Sequence, residues 1–219
     1  MKEIYLGLDL CKKNIQLSYY RDDKSEPQSI CQQNNTETFL FPNVMFYDTA
    51  ENKWYVGNDV AGVRFIRDGV IIENIVENID SSDHVVVGTA SYTYEMLLLI
   101  LLKTHVQDFI SRNDEYVLKG ITVTMDAYHP IVYKVLKRFA KELELDQEHF
   151  AIISHETAFF QFVMNQDEKL HTVWQCLIMA MKEWSIIALT GKIYGIRLFT
   201  ILDMKVLRIP FLIQSCLKM

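Results

Sequence analysis

The chain has 219 residues, half of them apolar, and a formal net charge of −6 at pH 7. That length suits one large domain or two lobes, and the acidic balance lacks the basic excess that binding a phosphate backbone needs, so nucleic acid is not an expected partner. Cys11, Cys31, Cys176 and Cys216 are scattered without a CxxC pair, and no leader-like segment opens the sequence. Reduced thiols in a cytoplasmic protein are therefore expected.

The first predicted element is an apolar strand over residues 3–9 that ends in a carboxylate, Asp9. A polar turn, Leu10-Cys11-Lys12-Lys13-Asn14, leads into a second strand over 14–20. Alternation and β-branched or aromatic content predict further strands over 39–47, 118–124 and 150–154. Residues 96–102 form one intensely apolar run. Seven residues cannot cross a bilayer, which takes about 20, so 92–110 reads as a helix buried on most of its circumference. Pro130 suits the first turn of a helix. Ile131, Val135, Leu136, Phe139 and Leu143 then recur at three- and four-residue steps, with Lys134, Lys137, Arg138 and Lys141 on the solvent side. A further helix is expected from Glu156, and strands over 173–180, 185–189 and 193–202.

The chemistry concentrates at the first turn. An acid, two lysines and an asparagine at a hairpin tip can cradle a phosphate and hold Mg²⁺ through water, because backbone N–H groups in a tight turn point at an anion. The competing reading is a solvated tip whose acid bonds the turn's own N–H groups. The six histidines, His149 and His155 among them, show no metal-ligand spacing.

Several blocks then agree in order. The hairpin around Asp9 is followed by Phe41-Pro42-Asn43-Val44-Met45-Phe46 with Val56-Gly57, by Ile121-Thr122-Val123-Thr124-Met125-Asp126-Ala127-Tyr128, and by Ile152-Ile153-Ser154-His155-Glu156-Thr157-Ala158. This series resembles the N-terminal lobe of the actin, sugar-kinase and heat-shock-chaperone ATPase superfamily, with its "GIDLGTT", "PS-V-F…-VG-A", "ITVPAYF" and "IINEPTAA" segments. The resemblance implies an α/β fold: a mixed five-stranded sheet with flanking helices over residues 1–169, then an incomplete second lobe over 170–219. It implies ATP with Mg²⁺ as the ligand. Asp9 would face the metal through water and Glu156 would orient the attacking water as the catalytic residue. The first hairpin departs from the family, with Cys11 for its glycine and Lys12-Lys13 for its hydroxyl pair, and these lysines with Asn14 would add their groups near the phosphates.

The second phosphate hairpin departs from that pattern. Where the family reads "DLGGGTFD", this chain has Met179-Ala180-Met181-Lys182-Glu183-Trp184-Ser185. Ala180 replaces the acid, and Lys182, Glu183 and Trp184 replace glycines that let backbone approach phosphate at positive φ. Phosphoryl transfer rests on positioning and charge stabilisation, so a half-built cradle loses most of its rate. From residue 192 onward the chain carries five basic residues against one acid, on a strongly apolar background. An incomplete lobe of that kind leaves apolar surface and sheet edge for a protein partner or self-association. The expected function is a non-catalytic regulatory or interaction module that holds ATP·Mg weakly or not at all. An N-terminal fragment of a working ATPase and an unrelated α/β scaffold are the alternatives.

Overall fold

The computed structural model describes residues 1–24, 26–32 and 38–158, together with the backbone of three strands at 176–180, 185–189 and 197–200. The chain divides into two compact units, Met1–Ser154 and His155–Met219. The expected boundary at 169/170 lies outside the described residues.

The first unit is mixed α/β. Its main sheet is built on β1 (Lys2–Leu10), where Ile4, Leu6, Leu8 and Leu10 alternate inward as the period of a strand requires. β2 (Asn14–Tyr20) returns antiparallel, pairing Leu10 with Ile15 and Tyr5 with Tyr20. On the other side β10 (Tyr116–Met125) runs parallel to β1, and β11 (Phe150–Ser154) runs parallel to β10. The sheet order is β11-β10-β1-β2-β3, where β3 is Gln28–Ser29, and β4 (Leu40–Pro42) also pairs with β2. The expected mixed sheet is present, antiparallel toward one edge and parallel toward the other, but in six strands rather than five.

The strand expected over 39–47 is two strands in two sheets. β4 pairs Asn14 with Pro42, whereas β5 (Met45–Asp48) is the centre of a second sheet between β6 (Lys53–Val56) and β7 (Gly69–Ile72). The chain leaves the first sheet at Pro42-Asn43, where proline has no N–H for the ladder and Asn43 bonds the β1–β2 turn instead. Asp48 closes the β5–β6 turn by accepting from the N–H groups of Ala50 and Glu51, with Arg67 2.7 Å from its carboxylate. That guanidinium holds the Asp48 carboxyl below the usual carboxylate range. A short helix α1 (Asp59–Val63) follows β6, and a hairpin of β8 (His84–Val87) and β9 (Ala90–Thr93) precedes the long helix.

α2 spans Tyr94–Ser111 and begins later than expected, because residues 90–93 belong to β9 and the Thr93 hydroxyl accepts from Met96 N as an N-cap. It buries Leu97, Leu98, Leu99, Leu101, Leu102, His105, Val106 and Phe109. α3 (Pro130–Glu142) has Pro130 in its first turn and buries Val132, Val135, Leu136, Phe139 and Ala140, while Ile131 and Leu143 are partly covered and all four predicted surface cations are exposed. One core joins these helices to β1, β2 and β10. Each fully buried Leu, Ile or Phe in it contributes roughly 1.5–3 kcal/mol relative to exposure.

In the second unit, residues 155–158 are helical. β12 (Cys176–Ala180), β13 (Ser185–Leu189) and β14 (Arg197–Thr200) form an antiparallel sheet in which Ala180 pairs with Ser185. Residues 181–184, including the Lys182-Glu183-Trp184 substitution, lie outside the described residues. Among the described residues no helix is long and apolar enough to cross a membrane.

Candidate functional site

The parallel strands β1, β10 and β11 end in register: Leu10 lies beside Met125, and Met125 beside Ser154. Ligands of open α/β sheets sit at the carboxyl ends of such strands, where the loops leave and side chains can converge. Asp9 is one residue from that edge on β1, half-buried, with Thr124 opposite it on β10 and Gln16 on β2. The Thr124 hydroxyl donates to Asp9 Oδ1 at 2.9 Å, which orients the carboxylate across the two strands. Beyond Thr124 the chain passes through Met125 to Asp126, which has one carboxylate oxygen buried, and on through residues 127–129 to α3.

The turn after Asp9 is held from one side. Cys11 N donates to Asn14 O at 3.0 Å, closing the hairpin. Asn43, which is 4% exposed, donates through Nδ2 to Cys11 O at 2.7 Å and to Lys12 O at 3.0 Å, and its backbone N–H donates to Lys13 O at 2.8 Å. Three successive turn carbonyls are thus engaged by one residue, and the side chains of Lys12 and Lys13 are exposed at the tip. The Cys11 thiol lies 4.0 Å from Asp9 Oδ1, the outer limit of a sulfur hydrogen bond. A fixed turn with a carboxylate at its base and two cations at its tip can receive an anion with a hydrated cation beside it.

Of the residues predicted from sequence, Asp9, Lys12, Lys13 and Asn14 share this one edge of the first unit. Glu156 belongs to the second unit, in the helical residues 155–158, half-buried. Two contributors were not foreseen as site residues, Asn43 and Thr124. Asn43 had a readable signal, since an asparagine directly after proline inside an apparent strand marks a turn residue whose amide seeks backbone partners. Thr124 had none, because its role depends on the register of two strands 115 residues apart.

Asp9, Lys12, Lys13 and Asn14 fit a magnesium–triphosphate group in donor chemistry: a carboxylate for the hydrated metal, and lysines and turn N–H groups for the anion. No curated protein matches the chain. A family profile matches residues 26–183, well over half of the sequence, beginning downstream of Asp9 and taking in Asn43, Thr124 and Glu156. The chain thus belongs to the family described as "Family of unknown function (DUF5716) C-terminal".

Proposed function

We propose that this chain is a degenerate nucleotide-binding-fold protein, its first unit an actin/chaperone-ATPase-like lobe, acting in the cytoplasm as a regulatory or interaction module rather than as a catalyst. The observation that carries this reading is the Thr124–Asp9 hydrogen bond at the carboxyl edge of parallel strands, beside a turn whose carbonyls Asn43 holds. Asp9 would hold Mg²⁺ through water, and Lys12, Lys13 and Asn14 would lie near the phosphates of ATP. Bound Mg·ATP would supply charge and a ligand-dependent stabilisation of this edge. What argues against turnover is the composition of the second hairpin, where Ala180 offers no carboxylate and Lys182, Glu183 and Trp184 deny the close backbone approach that glycines allow. A protein partner, or a second copy of the chain, is the expected binding partner.

Calorimetry with Mg·ATP on wild type and Asp9→Ala tests the binding half. Weak binding abolished by Asp9→Ala is expected, and tight binding indifferent to Asp9→Ala would move the site elsewhere. A phosphate-release assay beside Glu156→Gln tests the other half. Steady turnover abolished by Glu156→Gln would overturn the non-catalytic reading in favour of a working ATPase.

A further inference from the structure

Away from the carboxyl edge, β2, residues 29–32 and the C-terminal half of α2 line a cavity of about 650 Å³. Tyr19 in its wall pairs with Leu6, toward the opposite end of the hairpin from the Asp9–Gln16 pair. Leu17, Tyr19, Ile30, Phe41 and Phe109 make the apolar lining. His105, Asp108, Phe109 and Arg112 recur at i, i+3, i+4 and i+7, so a single face of α2 supplies them all. A volume of ~300–1,000 Å³, apolar walls and a few convergent polar groups are the usual attributes of a small-molecule site.

Most polar groups around this cavity are already engaged. Arg112 Nη1 donates to Gln32 O; Gln32 Nε2 donates to Val56 O at 2.7 Å, and its Oε1 accepts from Asn58 N at 2.7 Å. Asn113 Nδ2 donates to Phe109 O at 2.8 Å. Two groups differ. His105 is 3% exposed and stacked on Phe41 at 5.2 Å between ring centres, yet its Nε2 is buried with no hydrogen-bond partner among the described residues. The Asp108 carboxylate lines the same cavity, half-buried, with no hydrogen bond or ion pair to any described residue. Burial, with Arg112 adding to it, pulls the His105 pKa down to about 4, so the ring is neutral; burial pushes the Asp108 carboxyl up.

A half-buried carboxylate with no donor among the described residues, set among aromatic rings, calls for a flat ligand that carries N–H groups. We infer that this cavity binds a planar heterocyclic cation of the aminopyridinium or amidinium class, its ring N–H and amino N–H both meeting Asp108 and its ring lying among Tyr19, Phe41 and Phe109. Two adjacent N–H donors match the two-oxygen fork of a carboxylate. An anion is disfavoured, since Asp108 offsets Arg112, whose guanidinium already serves Gln32 O. The site uses none of the residues of the proposed nucleotide edge and stands without that reading.

The test is an NMR titration of the full chain with 2-aminopyridine in its protonated form, toluene and benzoate in parallel. Saturable shifts centred on Asp108 and Phe109 are expected with 2-aminopyridine, at least ten-fold tighter than with either control. Asp108→Asn, on a half-buried helical position, should weaken that binding ten-fold or more, and Ser29→Trp should fill the cavity and abolish it. Equal affinity for toluene would show an apolar void without polar recognition, and tighter benzoate binding would make it an anion site at Arg112; either overturns the inference. So would binding that ignores Asp108→Asn. If Ser29→Trp loses its dispersed spectrum, Asp108→Asn alone decides.

Discussion

The 10–14 turn and the His105 face of α2 each depend on one buried polar side chain, and they use it in opposite ways. Asn43 spends both amide hydrogens on backbone carbonyls of the turn, so its burial produces a fixed loop. His105 is as deeply buried, but its Nε2 has no partner among the described residues, and its ring is stacked on Phe41. A satisfied buried polar group specifies a conformation, whereas an unsatisfied one costs stability and has to be explained by something else. The turn is architecture that places Asp9; the α2 face carries a destabilising element that a leucine there would not.

The sharpest way to break the comparison is at Gly57, beside His105. Its φ is +61°, and an added Cβ would lie 2.5 Å from Gln32 Oε1 and 2.9 Å from His105 Cε1. Gln32 is hydrogen-bonded at both ends of its amide and has no room to yield. Gly57→Ala should cost about 3 kcal/mol, from left-handed backbone and overlap together, read by urea denaturation. A cost below about 1 kcal/mol would mean that the His105 surroundings are loosely packed.

Asn43→Ala comes next. It removes two hydrogen bonds and leaves two turn carbonyls unserved, for a loss of roughly 2–3 kcal/mol. If the same variant leaves the backbone signals of residues 10–14 unchanged, the turn does not need its clamp.

The third test uses pH. The His105 pKa is about 4 in the folded chain, against about 6.5 unfolded. At high pH both states are neutral and the group contributes no pH dependence. As pH falls through 6.5 toward 4 the unfolded chain takes up the proton first, and stability is lost. Between pH 7.5 and pH 5 that loss is on the order of 2 kcal/mol. Asp108, its carboxyl pushed up by burial, acts in the opposite sense, so the reading is wild type against His105→Leu at both pH values. The variant should lose less stability on acidification; an identical loss would show that the imidazole is hydrated.

The smallest effect is expected at the tip. Lys12 and Lys13 are exposed, so their joint replacement by alanine should change stability by less than about 0.5 kcal/mol. A larger change would mean that the tip is part of the architecture.

The strands around Asp9 and the start of α3 at Pro130 were legible because each has a local cause. Inward leucines at every second position set a strand, a polar tip sets a hairpin, and proline sets a first helical turn. The division of 39–47 between two sheets was not, although Pro42-Asn43 marked the place. An apolar run states that its residues are buried, not against which sheet. The candidate edge was half legible. Asp9 and the lysines stand together in sequence, whereas Asn43 and Thr124 reach them only through pairing across 31 and 115 residues.

The amino-acid order by itself determined the period of each strand, the apolar face of α3 and the chemistry of the first turn, because these depend on neighbours within a few residues. Only the tertiary structure decided which carbonyls Asn43 serves, which oxygen Thr124 bonds and that His105 is buried beside Asp108 in one cavity wall. Those depend on strand register and on how α2 meets β2, and a hydrogen bond a few tenths of an ångström out of reach is no bond at all.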